Sequence, residues 1–257
     1  MNYKACIFDQ DGTIYLGSRL IPGAAETISQ LRAYGTRTIF LSNNPTKTRE
    51  QYAEKLTRLG IPTDVDDIVN SSYVMVQWLK ENTPGACLYV IGEEAITGEL
   101  KEAGFALSEK PGEIDVVVAS FDRTFDYHKL QVAFDAINAG ARLVATNPDR
   151  YCPTPTGGEP DCAAIIAALE ACTGVTCDPV VGKPSPIMVR TIMDKLGISP
   201  SDCLMVGDRL ETDIRMGIDA GMDTCLVLTG DADQEKLEKS GLKPTMVLKS
   251  IAGLLIV

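Results

Sequence analysis

Two aspartates stand two apart at the end of an apolar run, in Lys4-Ala-Cys-Ile-Phe-Asp-Gln-Asp-Gly-Thr13. If that run is a buried parallel strand, Asp9 projects from its carboxyl end, the edge at which open α/β sheets gather ligands. Gly12 lets the chain turn, so that Asp11 curls back toward the same point. Carboxylates this close repel, and a cation must stand near if both are ionised. Read alone, the segment also suits a solvated Asx turn at a strand end. A second acidic pair lies in Cys203-Leu-Met-Val-Gly-Asp-Arg-Leu-Glu-Thr-Asp213. Asp208 sits at a strand end like Asp9, and Asp213 opens the next helix, where it serves equally as a first-turn acid. The four aspartates make an oxygen-only set, which suits Mg2+ rather than zinc.

Two further segments complement the acids. Leu41-Ser-Asn-Asn-Pro45 ends another strand-like run. Its hydroxyl and turn N–H groups can hold phosphate oxygens, or Ser42 and Asn44 can act as helix caps. Val180-Val-Gly-Lys-Pro-Ser-Pro186 puts Lys183 just ahead of a helix, with Pro184 and Pro186 stiffening its backbone. A Lys held there can neutralise a phosphoryl group or a carboxylate cluster, or lie in a surface turn.

The composition narrows the chemistry. The 257 residues are 45% hydrophobic and 23% charged, near globular averages, and suit one large domain or two modest ones. Lys+Arg 24 against Asp+Glu 35 leaves a net charge of −11, which argues against a nucleic-acid or anionic membrane surface. No apolar run approaches the roughly 20 residues of a membrane span. The Met-Asn-Tyr-Lys start enters a strand-like run directly and does not read as a signal peptide. The eight cysteines form no CxxC pair, so a structural zinc site is not expected. Cys6, Cys87 and Cys203 lie in apolar strand patterns and read as small buried thiols, and reduced thiols fit a cytoplasmic protein. His128 is the only histidine, which leaves a Ser-His-Asp triad one candidate base and excludes His-rich metal sites.

The elements that must position these residues alternate. Strands are expected at Lys4–Phe8, Thr38–Leu41, Asp67–Val69, Cys87–Ile91, Val116–Ala119, Arg142–Ala145, Cys203–Val206 and, as the last clear one, Thr224–Leu228. Helices are expected at Ala24–Tyr34, Lys47–Leu59, Tyr73–Asn82, Ala95–Ala103, Tyr127–Ala139, Ala163–Thr173, Pro186–Leu196 and Asp213–Ala220. Gly35, Gly60, Gly140, Gly197 and Gly221 stop helices. Such alternation implies parallel sheets with helices on both faces, an α/β class of doubly wound type. The Pro/Gly-rich Cys152–Pro160 reads as a loop. No G-x-G-x-x-G follows a strand; Val90-Ile-Gly-Glu-Glu94 is a poor pyrophosphate cradle, which counts against nicotinamide binding.

In this order the four segments resemble the haloacid dehalogenase (HAD) superfamily, whose pattern is DxDGT, a Ser/Thr, a Lys and an acidic GDxxxxD. The nearer resemblance is to its NagD-like branch of nitrophenyl-, sugar- and phosphoglycolate phosphatases. It spans nearly the whole chain, with support from Leu41-Ser-Asn-Asn44, Ala145-Thr-Asn-Pro-Asp149, Val181-Gly-Lys-Pro-Ser-Pro186 and Thr212-Asp-Ile214. It implies a Rossmann-like core over 1–82 and 180–257, with a large α/β cap inserted over 83–179. It implies a phosphatase for small phosphomonoesters, with an aspartyl-phosphate formed on Asp9 and Asp11 as acid and then base. Mg2+ would be held by Asp9, the Asp11 backbone carbonyl and Asp208, with Asp213 supporting through water. Ser42 and Asn43 would bind phosphate oxygens, and Lys183 would balance charge. Cap closure would expel water and select the leaving group. The loop Thr146–Pro160, with Asn147, Asp149, Arg150 and Tyr151, would face the substrate, with Phe121-Asp-Arg-Thr124 a second candidate. The resemblance allows copies to pair through the cap. Gln10 stands where the family usually has an apolar or aromatic residue; its side chain is expected to point away from the metal, with little effect on chemistry. A phosphotransferase or mutase shares these motifs. So does a phosphate-binding module without turnover, although receiver domains of that kind are about half this length. Dehalogenation needs no acid at Asp11, and no cap Lys for a phosphonatase is evident.

Overall fold

A computed structural model describes residues 3–154 and 157–255. In chain order its elements are β1 (Ala5–Asp9), β2 (Tyr15–Leu16), β3 (Arg19–Leu20), α1 (Ala24–Ala33), β4 (Arg37–Ser42), α2 (Arg49–Arg58), β5 (Ile68–Asn70) and α3 (Ser71–Asn82). Next come β6 (Cys87–Ile91), α4 (Glu94–Glu102), β7 (Ala106–Leu107), β8 (Val116–Ala119), α5 (Tyr127–Asn138) and β9 (Arg142–Ala145). The rest are β10 (Tyr151–Thr154), β11 (Gly157–Pro160), α6 (Cys162–Thr173), α7 (Pro186–Leu196), β12 (Cys203–Gly207), α8 (Arg215–Ala220), β13 (Asp223–Val227), α9 (Gln234–Ser240) and β14 (Met246–Leu248).

The chain divides into two compact units. The first holds the chain up to Ser42, Arg49–Val69 and the chain from Lys183 onward; the second holds Asn43–Thr48 and Asn70–Gly182. The sequence boundaries of 82/83 and 179/180 assign α3 to the core, whereas its contacts group it with the inserted unit, where it packs on α4. The helix is buried along most of its length, through Val74, Met75, Val76, Trp78 and Leu79, so its face carries no sign of which unit it joins.

In the first unit a six-stranded sheet runs β14-β13-β12-β1-β4-β5. Strand β1 is buried throughout and pairs in parallel with both β12 and β4. The order reverses direction between β1 and β12, which makes that crevice the topological switch point of the sheet. Phe8, Phe40, Leu204 and Val206 join helix residues such as Ile28 and Leu56 in one core, which anchors the strands whose ends carry the acids. Helix α7 shows why its position is legible. Ser185 caps it by accepting the Ile187 N–H at 3.2 Å, Pro186 begins it, and Gly197 ends it with φ +66°.

The second unit carries its own parallel sheet, β7-β6-β8-β9, with a core of Val117, Leu143, Ala133, Ile165 and their neighbours. The doubly wound parallel sheets are thus what the alternation implied, and the large inserted α/β unit is what the resemblance implied. Three expectations change. Cys152–Pro160 is not a loop: Tyr151–Thr154 and Gly157–Pro160 pair antiparallel, while Pro155 and Thr156 lie outside the described residues. Pro153 and Pro160 mask that ribbon in sequence, because prolines sit poorly in strand patterns. The segment before α8 is a wider helical turn over Leu210–Ile214, so the regular helix begins at Arg215 rather than Asp213. A short further strand, β14, follows Thr224–Leu228 at the sheet edge. Cys87 is only half-buried, and all eight cysteines are free.

Candidate active site

The parallel register sets the site of the first unit. Asp9 pairs with Leu41 and Phe8 with Val206, so the ends of β1, β4 and β12 stand level at one edge. The next residues there are Ser42 on β4 and Asp208 just past Gly207. Carboxylate oxygens of Asp9, Asp208 and Asp213 lie within 4.8 Å of one another, and all three residues are buried. Lys183 is 2% exposed and binds two of them, with Nζ 2.5 Å from Asp9 Oδ1 and 2.7 Å from Asp213 Oδ1.

Each acid is held by a local device. The turn after β1 folds around the Gln10 carbonyl, which accepts N–H groups of Thr13, Ile14 and Tyr15. Gly12 makes that turn with φ +87°, and a Cβ there would come within 2.4 Å of Asp208 Oδ2; only glycine meets both demands. Asp208 accepts the Thr13 hydroxyl at 3.3 Å and the Asp231 N–H at 2.7 Å. Asp213 accepts the Arg209 N–H at 3.1 Å through the oxygen that Lys183 leaves. A Cβ at Gly207 would stand 2.3 Å from the Asp213 Cβ, which is the reason for the glycine before Asp208. Ser42 is buried, with its hydroxyl 3.4 Å from that of Tyr52.

The electrostatics follow from one ammonium among three buried acids. Burial pushes the Asp9 carboxyl well above the usual range; Lys183 opposes that rise, and the charges of Asp213 and Asp208 add to it. Asp208 is pushed up to about 6, by burial first and Asp213 next, against the pull of the Asp231 N–H. Burial alone would lower Lys183, but the charges of Asp213 and Asp9 outweigh it and hold the ammonium firmly charged. If all three acids are ionised, three negative charges meet one positive, a deficit that a divalent cation would fill. The donors are all hard oxygens, so the residues fit Mg2+.

Within the second unit several of the sequence candidates also come together. Asn43 O accepts the Ser71 hydroxyl at 2.5 Å and Asn147 Nδ2 at 3.2 Å, and Asn43 Nδ2 donates to Asp149 Oδ1 at 3.3 Å. Asn147 is fully buried, and its Oδ1 accepts the Asp149 N–H at 2.9 Å, so it orders the Thr146–Asp149 turn. Asp149 is half-buried; Arg150 is exposed, and Tyr151 is exposed beside it. In the other candidate segment Asp122 is buried and accepts from Thr124 and Lys129, while Arg123 forms a two-point ion pair with Glu93 at 2.7 Å. Sequence reasoning missed the loop after β13. There Asp231 supplies its N–H to Asp208, and the Thr229 hydroxyl donates to the Gly12 carbonyl at 2.5 Å. A Thr-Gly turn leaving a strand at the same sheet edge was the only signal.

Comparison with known proteins agrees with this geometry. Residues 6–106 match the family described as haloacid dehalogenase-like hydrolase, and residues 180–254 the one described as HAD-hydrolase-like. The sugar-phosphatase AraL of Bacillus subtilis is 40% identical over 245 residues, covering 95% of this chain and 89% of that protein. The solved p-nitrophenyl phosphatase from Archaeoglobus fulgidus superposes with TM-score 0.94 at 34% identity, covering 100% of this chain and 99% of that one. NagD from E. coli K-12 superposes with TM-score 0.90 at 30% identity, covering 98% of each chain.

Proposed function

Because this chain belongs to the haloacid dehalogenase-like hydrolases, as a NagD-like phosphatase acting on small phosphorylated substrates, we propose that it hydrolyses sugar phosphates and related metabolite phosphomonoesters with Mg2+, through an aspartyl-phosphate on Asp9. The observation that carries this reading is the buried Asp9, Asp208 and Asp213 cluster with Lys183 between Asp9 and Asp213.

Lys183 ties down Asp9 Oδ1 and leaves the other oxygen to attack phosphorus. As the Asp9 O–P bond forms, the bond from phosphorus to the ester oxygen breaks, and Asp11 gives that oxygen its proton. Asp11, now a carboxylate, takes a proton from water as the water oxygen attacks phosphorus and frees Asp9 and phosphate. Ser42 and Asn43 offer their polar groups to phosphate oxygens. Asp9, Asp208 and the Asp11 carbonyl would hold the metal, and Asp213, engaged by Lys183 and the Arg209 N–H, supports from behind. Bound there, Mg2+ supplies the positive charge that lets a phosphate dianion sit among carboxylates.

The test is phosphate release from a panel of phosphomonoesters, with and without Mg2+, for the wild type and Asp9→Asn. Turnover that needs Mg2+ and is lost in the variant is expected, with sugar phosphates among the better esters. A folded protein that binds Mg2+ and releases no phosphate from any ester would overturn the reading in favour of a phosphotransferase or a phosphate-binding module.

A further inference from the structure

Gln10, the departure from the family pattern, has a defined partner. Its side chain is 1% exposed, its Oε1 accepts the Tyr15 hydroxyl at 3.0 Å, and its Nε2 is buried with no hydrogen-bond partner. Tyr15 is fully buried, and its backbone is laced into the acidic turn. Its N–H donates to Gln10 O at 3.2 Å and its carbonyl accepts the Gly12 N–H at 2.8 Å, with a bridge to Asp11. Lys55 Nζ lies 3.3 Å from the centre of the Tyr15 ring and covers one face. The same hydroxyl hydrogen-bonds the Asp11 carboxyl.

We infer that Tyr15, braced by Gln10, is the positioning residue that aims the Asp11 carboxyl at the leaving oxygen; this rests on the reading of Asp11 as acid and base. The count of donors and acceptors gives the reason. A phenol has one hydrogen and free lone pairs, and an amide offers an oxygen on one side and two N–H on the other. While Asp11 carries the proton it will give away, the phenol can accept from it and donate to Gln10 Oε1. Once Asp11 is a carboxylate, the phenol hydrogen turns to it. Gln10, its amide turned over, then presents Nε2 to the phenol oxygen. The buried Nε2, without a partner in one setting, has one in the other. An apolar residue at position 10 could support neither setting.

The experiment compares kcat/KM for a sugar phosphate with that for p-nitrophenyl phosphate. This parameter runs through departure of the leaving oxygen, and nitrophenolate leaves without needing a proton. Asp11→Asn is expected to lower the sugar-to-nitrophenyl ratio strongly. Tyr15→Phe, which keeps the ring, should lower that ratio by about tenfold, and Gln10→Leu by about threefold, part of the range for general acid catalysis. The losses should fall in kcat with KM for the sugar phosphate nearly kept. If Asp11→Asn skews the ratio while Tyr15→Phe and Gln10→Leu leave it where it was, the inference is overturned and the acid assignment stands. If Asp11→Asn does not skew it, the acid assignment falls, and the inference with it. Should Tyr15→Phe fail to fold, an unmoved ratio in Gln10→Leu overturns the inference alone.

Discussion

Among single side chains, the decisive imbalance is one ammonium shared by buried carboxylates. Two unit charges about 4 Å apart interact by about 4 kcal/mol at an effective dielectric of 20, so on the proposed reading Lys183 would make room for a phosphate dianion beside Asp9 and Asp213. Lys183→Ala is expected to lower kcat/KM by roughly a hundredfold or more, since each tenfold corresponds to about 1.4 kcal/mol. It should weaken inhibition by inorganic phosphate in the same direction. Kinetics and phosphate inhibition equal to wild type would remove the role assigned to Lys183. Asp9 and Asp208 were legible in the sequence because each closes an apolar strand-like run, whereas Asp213 and Lys183 lie away from such strand ends and stood out only through their place in the four-segment pattern. Thr13, Tyr15 and Asp231 were not legible. Thr13 and Asp231 reach Asp208 only when the chain folds back, and a backbone N–H leaves no mark in sequence.

At the scale of elements, sequence patterning was sharpest where both faces of a strand are buried. The runs at β8 and β12, and at β1 up to Asp9, are continuous apolar stretches buried throughout, as buried parallel strands must be. It failed at β14, three residues at the sheet edge with no buried position, and at the ribbon of β10 and β11, where prolines and glycines dominate. The turn between β8 and α5 shows how a loop can be rigid without pattern. Asp122, its side chain fully buried, accepts the Thr124 N–H at 2.9 Å, the Thr124 hydroxyl at 2.7 Å and Lys129 Nζ at 2.6 Å. Burial pushes its carboxyl up, but the Lys129 and Thr124 hydrogen bonds outweigh that and leave it below the ordinary range. A lowered folded-state value means that the group binds protons more readily when unfolded. Its stabilisation is present above the unfolded value of about 4 and is lost as pH falls through the folded one. Asp122→Asn should therefore lower stability by about 1.5–3 kcal/mol at pH 7, the range for a hydrogen bond to a charged group. Urea unfolding at pH 7 and pH 3 checks this. A deficit as large at pH 3 as at pH 7 would mean that shape, not charge, is what the turn needs.

For the molecule as a whole, the acidic site is a liability until a cation arrives. The chain carries a net charge of −11, and three of its acids are packed together out of water. Asp208, pushed up to about 6, holds its proton more tightly when folded than when unfolded. The sign is the reverse of that at Asp122: in metal-free protein this group makes stability fall as pH rises from about 4 through 6, because the folded state must then accept an uncompensated charge. A divalent ion held there would remove that penalty and, binding only the folded state, would stabilise by RT ln(1 + [L]/Kd), about 2.7 kcal/mol at a hundred times Kd. Below pH 5 a proton on Asp208 would compete with such an ion. Saturating Mg2+ should accordingly raise the thermal midpoint by several degrees at pH 7.5 and by clearly less at pH 5, and Asp208→Asn should shrink the shift at pH 7.5. Differential scanning fluorimetry with Mg2+, and with Na+ at equal ionic strength to subtract screening of the overall charge, measures it. Equal shifts with Mg2+ and Na+ would assign the effect to the surface charge and leave the buried cluster without a metal.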